Sequence, residues 1–363
     1  MRLVMTADAV GGVWTYAVDL ARGLQAHGVE TVLALNGPAP AEPALAAARA
    51  AGIEVVLTGL PLDWLAEKTE EVEAAGQALA DLAREKTADL VQLNSPAYGA
   101  EAPFDMPVVA VQHSCTSTWW KAVRGDAAWP MDFYWRHRLA QSGLRRAART
   151  VAPTTAFAQA VRQAYHLRET PAVVWNGRAP IAPAARPLEV PPYLATSGRL
   201  WDEAKGMAVL DAAAARLTIP VVAAGALHGP TGGRAAFASL RTPGRLSERA
   251  LAVLLAGAAA FVAPSLYEPF GLSVLEAAQA GRPLVLSDIP TFRELWDGAA
   301  VFTPPGDADA LAEALSAVLD DEPRRARLGA RARERSLVYT SEAMAQGMMR
   351  IYDSILGRDQ LHS

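Results

Sequence analysis

Short apolar runs alternate with longer amphipathic stretches along the whole chain. The runs predict buried β-strands, and stretches with apolar residues three and four apart predict helices. The first helix begins after Gly12 and ends near Gly28, a typical helix-terminating residue. In the first half, the pattern predicts strands at residues 3–6, 31–35, 53–57, 90–93, 108–111 and 172–175, and helices near 67–86 and 133–149.

The same alternation resumes in the second half. It predicts strands at residues 193–197, 220–223, 261–263, 284–286 and 299–302, with helices at 204–217 and 341–356. Between them, five prolines within residues 180–192 indicate a domain linker. Alternating strands and helices are typical of βαβ units and mostly parallel sheets. The chain is therefore α/β, with Rossmann-like domains at residues 1–180 and 181–339.

Composition narrows the class of protein. The 363 residues suffice for two domains, and a net charge of −4 argues against a general nucleic-acid binder. One cysteine excludes an intrachain disulfide framework. The residues 1–8 are expected to be a first strand and not a signal peptide, and no uninterrupted apolar run reaches membrane-spanning length. We expect a cytoplasmic protein, at most peripheral to the inner face of a membrane.

A strand, a loop and a helix start meet between residues 258 and 281. Ligands in open α/β sheets collect at the carboxyl ends of strands, and a helix start offers N–H groups to an anion. The backbone at Phe270, Gly271 and Leu272 is therefore suited to hold a phosphate. Glu268 and Glu276 frame this loop about two helical turns apart, which suits one glutamate to a sugar and the other to a ribose.

The glutamate spacing, with Pro-Phe-Gly after Glu268 and Ala-Gly-Arg-Pro-Leu-Val after the helix, resembles the signature of retaining GT-B glycosyltransferases of family 4 (glycosyl transferases group 1). The resemblance implies two Rossmann-like domains with parallel sheets facing across a cleft, and a C-terminal helix, about residues 340–363, that crosses back to the first domain. It also implies transfer of a sugar from a nucleoside-diphosphate sugar, with retention at the anomeric carbon. In that reading Glu276 binds the ribose and Glu268 holds the donor sugar.

Two further motifs fit a diphosphate. Gly11 and Gly12 follow the first strand and open a helix, but they do not complete the dinucleotide fingerprint. The resemblance implies that this loop faces the donor diphosphate. Arg199 and Lys205 follow the first strand of the second half, and fixed cations there can neutralise a leaving diphosphate. Arg199 and Lys205-Gly206 match the Arg and Lys-Gly pair of the same glycosyltransferase family.

His113 follows an apolar strand at its carboxyl end. A lone histidine is more often structural than catalytic, but the resemblance implies a histidine at this position near the donor sugar. Nearby Cys115 has no mark of an activated nucleophile and is expected to be a packing residue.

Aromatic and basic residues crowd residues 119–149. Flat aromatic rings suit sugars and amphipathic acceptors, so Trp14, Trp119 and Trp120 are candidate acceptor contacts, although packing into the core is an equally good interpretation. Arg138, Arg145 and Arg149 are predicted to share one helix face. That face is a solvated surface or a weak docking site for anionic lipid.

Two segments depart from the family pattern. The chain reads Asn176-Gly177-Arg178-Ala179 where the family often has Asn-Gly-Val-Asp, and residues 226–230 differ from the common Gly-x-Gly-Pro loop. The resemblance implies base contacts from the backbone around Arg245 and Leu246. UDP is the expected donor nucleotide because it is frequent in the family, and GDP and ADP are the alternatives. The motifs do not specify the base, the sugar or the acceptor.

No cofactor or metal is expected, since the chain shows no Asp-x-Asp run and no His or Cys cluster of ligand spacing. Three alternatives remain. A nicotinamide-dependent enzyme would need the missing glycine fingerprint. A two-domain sugar- or nucleotide-binding protein would share the cleft without needing the Arg and Lys pair. A GT-B nucleotide-sugar epimerase or phosphorylase would differ only in its products.

Overall fold

The computed structural model describes residues 1–180, 191–230 and 232–358. The chain forms two compact α/β units. The first unit contains Met1–Gly177 and the chain from Thr340 onwards, and the second unit contains Arg178–Tyr339. The linker predicted at residues 180–192 lies almost entirely outside the described residues.

The first unit is built on a seven-stranded parallel sheet with the strand order β3-β2-β1-β4-β5-β6-β7. Its strands are β1 Arg2–Asp8, β2 Glu30–Asn36, β3 Glu54–Leu57, β4 Leu90–Leu93, β5 Val108–Val111, β6 Arg149–Ala152 and β7 Ala172–Val173. Its helices up to β7 are α1 Val13–Gln25, α2 Glu42–Ala50, α3 Thr69–Glu85, α4 Thr116–Arg124, α5 Met131–Arg146 and α6 Thr155–Ala164, with a 3-10 turn at Pro96–Gly99.

The second unit is built on a six-stranded parallel sheet with the order β10-β9-β8-β11-β12-β13. Its strands are β8 Leu194–Ser197, β9 Val221–Ala224, β10 Leu240–Gly244, β11 Ala260–Ala263, β12 Leu284–Ser287 and β13 Ala300–Thr303. Its helices are α7 Met207–Ala214, α8 Glu248–Gly257, α9 Leu272–Gln279, α10 Pro290–Trp296, α11 Ala308–Leu319 and α12 Glu322–Ser336, with a 3-10 turn at Glu203–Lys205.

Each sheet has a point where the chain order reverses. In the first sheet it lies between β1 and β4, and in the second between β8 and β11. The central strands are fully buried, as expected for parallel sheets covered by helices on both faces. Crevices at such switch points, beyond the carboxyl ends of the strands, are the usual ligand sites of this architecture.

The last helix, α13 Ser341–Leu356, returns to the first unit and packs on α1. Gly23 of α1 allows the close approach, because a Cβ atom there would lie 2.8 Å from Cβ of Ala345 and 3.0 Å from the carbonyl oxygen of Ser341. Met344, Met348 and Tyr352 are buried in the core that α13 shares with the first sheet. The predicted fold class, two Rossmann-like domains with the last helix on the first, is confirmed.

Several predicted boundaries are wrong. The helix predicted at 133–149 ends at Arg146, and Arg149 begins β6, so Arg138, Arg145 and Arg149 do not share one helix face. The helix predicted at 204–217 begins as a 3-10 turn and becomes α-helical only at Met207. Strand β10 was not predicted, because its short, mixed sequence gives no apolar run.

Candidate active site

In the second unit, the loop after β11 lies beside the turn after β8. These strands are parallel neighbours, so their carboxyl ends meet at the same edge of the sheet. The backbone N–H of Leu266 donates to the carbonyl of Ala204, at 2.8 Å. The two segments are therefore joined at the switch point of the second sheet.

Gly206 makes this contact possible. Its φ of +66° is left-handed, and a Cβ atom there would lie 2.0 Å from the carbonyl oxygen of Pro264. Only glycine fits a position that is both left-handed and pressed against backbone. The sequence Lys205-Gly206 is therefore explained by packing: glycine at position 206 allows Lys205 to lie next to the loop after β11.

Lys205 and Glu268 form an ion pair. The Lys205 Nζ atom lies 2.5 Å from Glu268 Oε2, and the two side chains are only 17% and 12% exposed. The backbone carbonyl of Glu268 accepts a hydrogen bond from the Thr291 hydroxyl at 2.6 Å. Both the backbone and the side chain of Glu268 are therefore fixed at the edge of the sheet.

Arg199 lies at the start of the turn that ends at Lys205. Its Nη2 atom donates to Asp202 at 2.8 Å, and Asp202 is buried. Two buried polar atoms here, Arg199 Nε and Ser197 Oγ, have no hydrogen-bond partner among the described residues. Buried polar groups without partners are costly, and a bound ligand with acceptor oxygens would satisfy them.

The segment Phe270-Gly271-Leu272 begins α9. The Phe270 side chain is buried and packs edge-to-face against Tyr339, with ring centroids 5.7 Å apart. Gly271 has a φ of +91° and precedes the first helical residue, Leu272. The buried ring anchors a helix start whose first N–H groups have no helical partners, which is a suitable place for an anion.

Glu276 lies on α9 and is paired with Arg178. The two side chains are 11% and 6% exposed. Arg178 also contacts Glu248 at 2.5 Å, and its carbonyl accepts a hydrogen bond from Gln279 at 2.8 Å. The sequence did not predict this partner of Glu276; Arg178 stands where the family motif Asn-Gly-Val-Asp has its valine.

Arg245 and Leu246 follow β10 at the same edge of the sheet. Gly244, just before them, accepts a hydrogen bond from the Gly225 N–H at 2.8 Å, which fixes the start of the loop. The next helix, α8, begins with Glu248, the second partner of Arg178. Arg178 therefore connects the loop at 245–248 with Glu276.

In the first unit, Gly11 and Gly12 lie between β1 and α1, at the switch point of the first sheet. The Asp8 carboxylate accepts hydrogen bonds from the N–H groups of Val10 and Gly11, at 3.0 and 3.3 Å. Gly12 has an ordinary helical φ of −76°. Backbone conformation therefore does not require glycine at position 12.

His113 follows β5. Its Nε2 atom lies 3.0 Å from Asn94 Oδ1, and its ring meets the Tyr16 ring edge-on at 4.3 Å. Burial lowers the pKa of His113 to about 3, so the ring is neutral at neutral pH. The sequence analysis did not predict the contact of Asn94 with His113.

Cys115 caps α4 through a hydrogen bond from the Thr118 N–H, and burial raises the pKa of its thiol.

The candidate acceptor residues are partly buried and held by neighbours. The Trp120 indole N–H donates to the carbonyl of Ala127 at 2.8 Å, and its ring packs on Phe133. Trp119 lies 5.9 Å from the Arg124 guanidinium, and Trp14 packs against the core of the first unit. Each of the three rings therefore packs against neighbouring residues of the first unit.

Within residues 1–180, 191–230 and 232–358, no group of three His, Cys, Asp or Glu side chains is arranged to hold a metal ion. In the same part of the chain, none of the helices combines the length and the apolar character needed to cross a bilayer.

Two family models match the chain. The model of Glycosyltransferase Family 4 matches residues 10–178, and the model of Glycosyl transferases group 1 matches residues 237–335. Together with two parallel Rossmann-like sheets, they define the class of GT-B glycosyltransferases. The chain belongs to glycosyltransferase family 4.

The chain is also similar to individual proteins, in sequence and in structure. The chain is 36% identical to the phosphatidyl-myo-inositol mannosyltransferase of Mycolicibacterium smegmatis over 173 residues, which cover 44% of each protein. The match spans less than half the length of that relative. The structure resembles sucrose-phosphate synthase from Thermosynechococcus elongatus, with a TM-score of 0.80 at 20% identity, covering 98% and 99% of the two chains. It also resembles Anabaena Alr3699/HepE in complex with UDP-glucose, with a TM-score of 0.76 at 20% identity, covering 98% and 100%.

Proposed function

We propose that the protein is a retaining glycosyltransferase that moves a hexose from a nucleoside-diphosphate sugar to an acceptor. In this proposal the second unit holds the donor nucleotide and the first unit holds the acceptor. The observation that carries it is the edge of the second sheet, where Lys205 pairs with Glu268 shortly before α9 begins and Arg199 keeps a buried N–H without a partner among the described residues.

The cations match the charge that develops in the reaction. As the glycosidic bond to phosphate breaks, the nucleoside diphosphate gains negative charge, and Lys205 and Arg199 stabilise it. Arg199 is held by Asp202 and keeps a buried N–H without a partner among the described residues, which suits a diphosphate oxygen. Such fixed donors cost no reorganisation when the transition state forms.

Glu268 is suited to hold the donor sugar and poorly suited to attack it. Its carboxylate is already engaged by the Lys205 ammonium at 2.5 Å, which lowers its nucleophilicity. We therefore favour a front-face reaction. The bond between the anomeric carbon and the phosphate oxygen breaks, this phosphate oxygen takes the proton of the acceptor hydroxyl, and the acceptor oxygen bonds to the anomeric carbon on the same face. The sugar then keeps its anomeric configuration without a covalent enzyme intermediate.

The remaining contacts are those that the family resemblance implies. In this proposal the loop at Gly11 and Gly12 binds phosphate, the backbone at Arg245 and Leu246 contacts the base, and Glu276 binds the ribose. UDP remains the default nucleotide, as in the Anabaena structure with UDP-glucose, while the mannosyltransferase relative favours mannose as the sugar. The tryptophans of α4 and Trp14 contact the acceptor, which is a saccharide, a small molecule or a lipid-linked molecule at a membrane surface.

Binding is tested first by thermal stability, since a ligand that binds only the folded state raises the melting temperature. The native chain is compared with Glu276→Gln in the presence of UDP, GDP, ADP or NAD, and with Glu248→Gln as a matched control. We expect one nucleoside diphosphate to stabilise the native chain and the control, and to stabilise Glu276→Gln much less. Stabilisation by NAD alone, or by none of the four, would contradict the proposal.

Catalysis is tested with the sugar form of the nucleotide that binds. We expect slow release of free sugar without an acceptor, and NMR of the first-formed product should show the anomeric configuration of the donor. Inversion at the anomeric carbon would exclude the front-face reaction. Binding without any turnover across saccharide and lipid-linked acceptors would favour a binding protein, and a changed nucleotide sugar without transfer would indicate an epimerase.

A further inference from the structure

A buried chain of hydrogen bonds runs through the first unit from the returning helix α13 to His113. Its members are Tyr352 on α13, Gln92 on β4, Asn94 just after β4, and His113 after β5. Tyr352 and Gln92 are 0% exposed and Asn94 is 8% exposed. Because these side chains are shielded from water, each hydrogen-bond donor among them needs an acceptor and each acceptor needs a donor.

The orientation of the Asn94 amide is set by the backbone. One end of the amide lies 2.6 Å from the carbonyl oxygen of Thr6, which can only accept, so this end is Nδ2. The other end, Oδ1, must accept. It lies 3.0 Å from Gln92 Nε2 and 3.0 Å from His113 Nε2. Both of these nitrogens therefore carry the hydrogen and donate it to Asn94.

The Gln92 amide is fixed in turn. Its nitrogen faces Asn94 Oδ1, so its oxygen faces the Tyr352 hydroxyl, which donates to it. The reversed amide would place two acceptor oxygens against each other. The Tyr352 hydroxyl thus supports the orientation of Gln92, and the Gln92 amide supports the position of the Asn94 oxygen.

These constraints select one form of His113. Its Nε2 atom carries the proton, and the ring is neutral because burial lowers the pKa to about 3. The Nδ1 atom is then unprotonated, and it has no hydrogen-bond partner among the described residues. A ring nitrogen in this state accepts hydrogen bonds, and a pKa this low makes it a weak base.

We propose that Asn94, Gln92 and Tyr352 are positioning residues that fix the tautomer of His113, so that Nδ1 accepts a hydrogen bond from a hydroxyl group of the bound sugar. The sugar as ligand rests on the proposed function; the tautomer does not. His113 is then a sugar contact and not the base that deprotonates the acceptor. The helix α13 contributes to the sugar site through Tyr352 without touching the sugar.

The tautomer is tested without any ligand, by long-range ¹H–¹⁵N NMR of the six histidine rings of the native protein, with His113→Gln to assign the signals. We expect His113 to be a neutral ring protonated on Nε2 from pH 5 to 8. In Asn94→Ala, which removes the oxygen that accepts the Nε2 hydrogen, the Nδ1 and Nε2 shifts should move towards each other as the second tautomer becomes populated. Tyr352→Phe should cause a smaller change in the same direction, because the Thr6 carbonyl still orients Asn94. Tyr339→Phe removes another buried tyrosine hydroxyl and is the control. A native ring protonated on Nδ1 would overturn the inference.

The role of Asn94 is tested by Asn94→Asp. A carboxylate beside Nε2 favours the protonated ring, so the pKa of His113 should rise into the range where the charged form donates from Nδ1. The KM for the donor sugar should then increase about tenfold as pH falls from 8 to 6, while the native KM stays flat. A purely structural role of Asn94 would give a variant whose KM follows the native pH profile, which would contradict the inference. Failure of the proposed function would appear separately, as an absent response of the native protein to every nucleotide sugar.

Discussion

The guanidinium of Arg178 is paired with the carboxylate of Glu276, the residue that the sequence assigned to the donor ribose. Both side chains are nearly buried, and Arg178 has Glu248 as a second carboxylate partner. Removing one member of a buried pair leaves an uncompensated charge, whereas removing both does not. The pair is therefore a strong energetic coupling between the start of the second unit and α9.

Arg178→Ala is expected to lower the free energy of unfolding by about 3 kcal/mol. Glu276→Ala should lower it by less, because Glu248 still pairs with Arg178. The double variant should lose much less than the two losses added together, because no unpaired charge remains. Denaturant unfolding of the four proteins measures this coupling.

The control is Arg293→Ala, which breaks an exposed pair with Asp288. Exposed pairs contribute about 1 kcal/mol or less. Additive losses at Arg178 and Glu276, or equal losses at Arg178 and Arg293, would show that the buried pair is not coupled as described.

Lys205→Met is expected to lower kcat by roughly a hundred- to a thousand-fold, with a smaller change in KM for the donor. The reason is that the ammonium opposes charge that appears on the diphosphate only as the bond breaks. Steady-state kinetics on the nucleotide sugar measure both constants. Arg216→Met, on an exposed ion pair of the same unit, should leave both unchanged. A variant with a raised KM and native kcat would instead assign Lys205 to ground-state binding.

Gly206→Ala is expected to destabilise the protein by more than about 3 kcal/mol. An alanine in a left-handed conformation costs roughly 1–2 kcal/mol. At Gly206 the added Cβ atom also lies 2.0 Å from the Pro264 carbonyl, so the loop that carries Glu268 must move.

Gly28→Ala separates these two terms, since Gly28 has a φ of +70° with nothing within 4 Å of an added Cβ. Chemical denaturation should show only the conformational cost at Gly28. Equal losses at the two glycines would mean that the contact with Pro264 is unimportant.

Stability is expected to fall as pH drops from about 6.5 towards 3, in part through His113. Its folded-state pKa of about 3 lies below the ordinary value of 6.5, so the unfolded chain binds more protons between these values. His113→Gln should therefore have a shallower loss of stability over this range, measured by urea unfolding at successive pH values. His228→Gln changes an exposed histidine and serves as the control. Parallel acid profiles for native protein and His113→Gln would contradict a ring whose pKa is lowered to about 3.

Much of the fold follows from local pattern. The helix predicted at 341–356 coincides with α13, and buried runs such as residues 90–93 coincide with strands, because burial on both faces leaves a continuous apolar stretch. Strand β10 escaped prediction since it contains Arg241, Pro243 and Gly244, and its place in the sheet is set by pairing with β9.

The sequence predicted a residue of the candidate site only where a motif in the neighbouring residues identifies it. Glu268 and Lys205 were recognised singly, but their ion pair depends on β8 and β11 being neighbours, which the order of strands along the chain does not reveal. Arg178 and Tyr352 gave no local signal of their partners. Their roles arise from tertiary contacts with Glu276 and Gln92, which are distant in sequence.

The chain passes between its two units at adjacent places. The Arg178 N–H donates to the carbonyl of Tyr339 at 3.1 Å, and Gly177 lies so close to Thr340 that no larger residue would fit. The stretch from 178 to 339 thus starts and finishes at one point, as an inserted domain does. A single excision at this point would remove the whole stretch and leave the hydrophobic core of the first unit, including α13, intact.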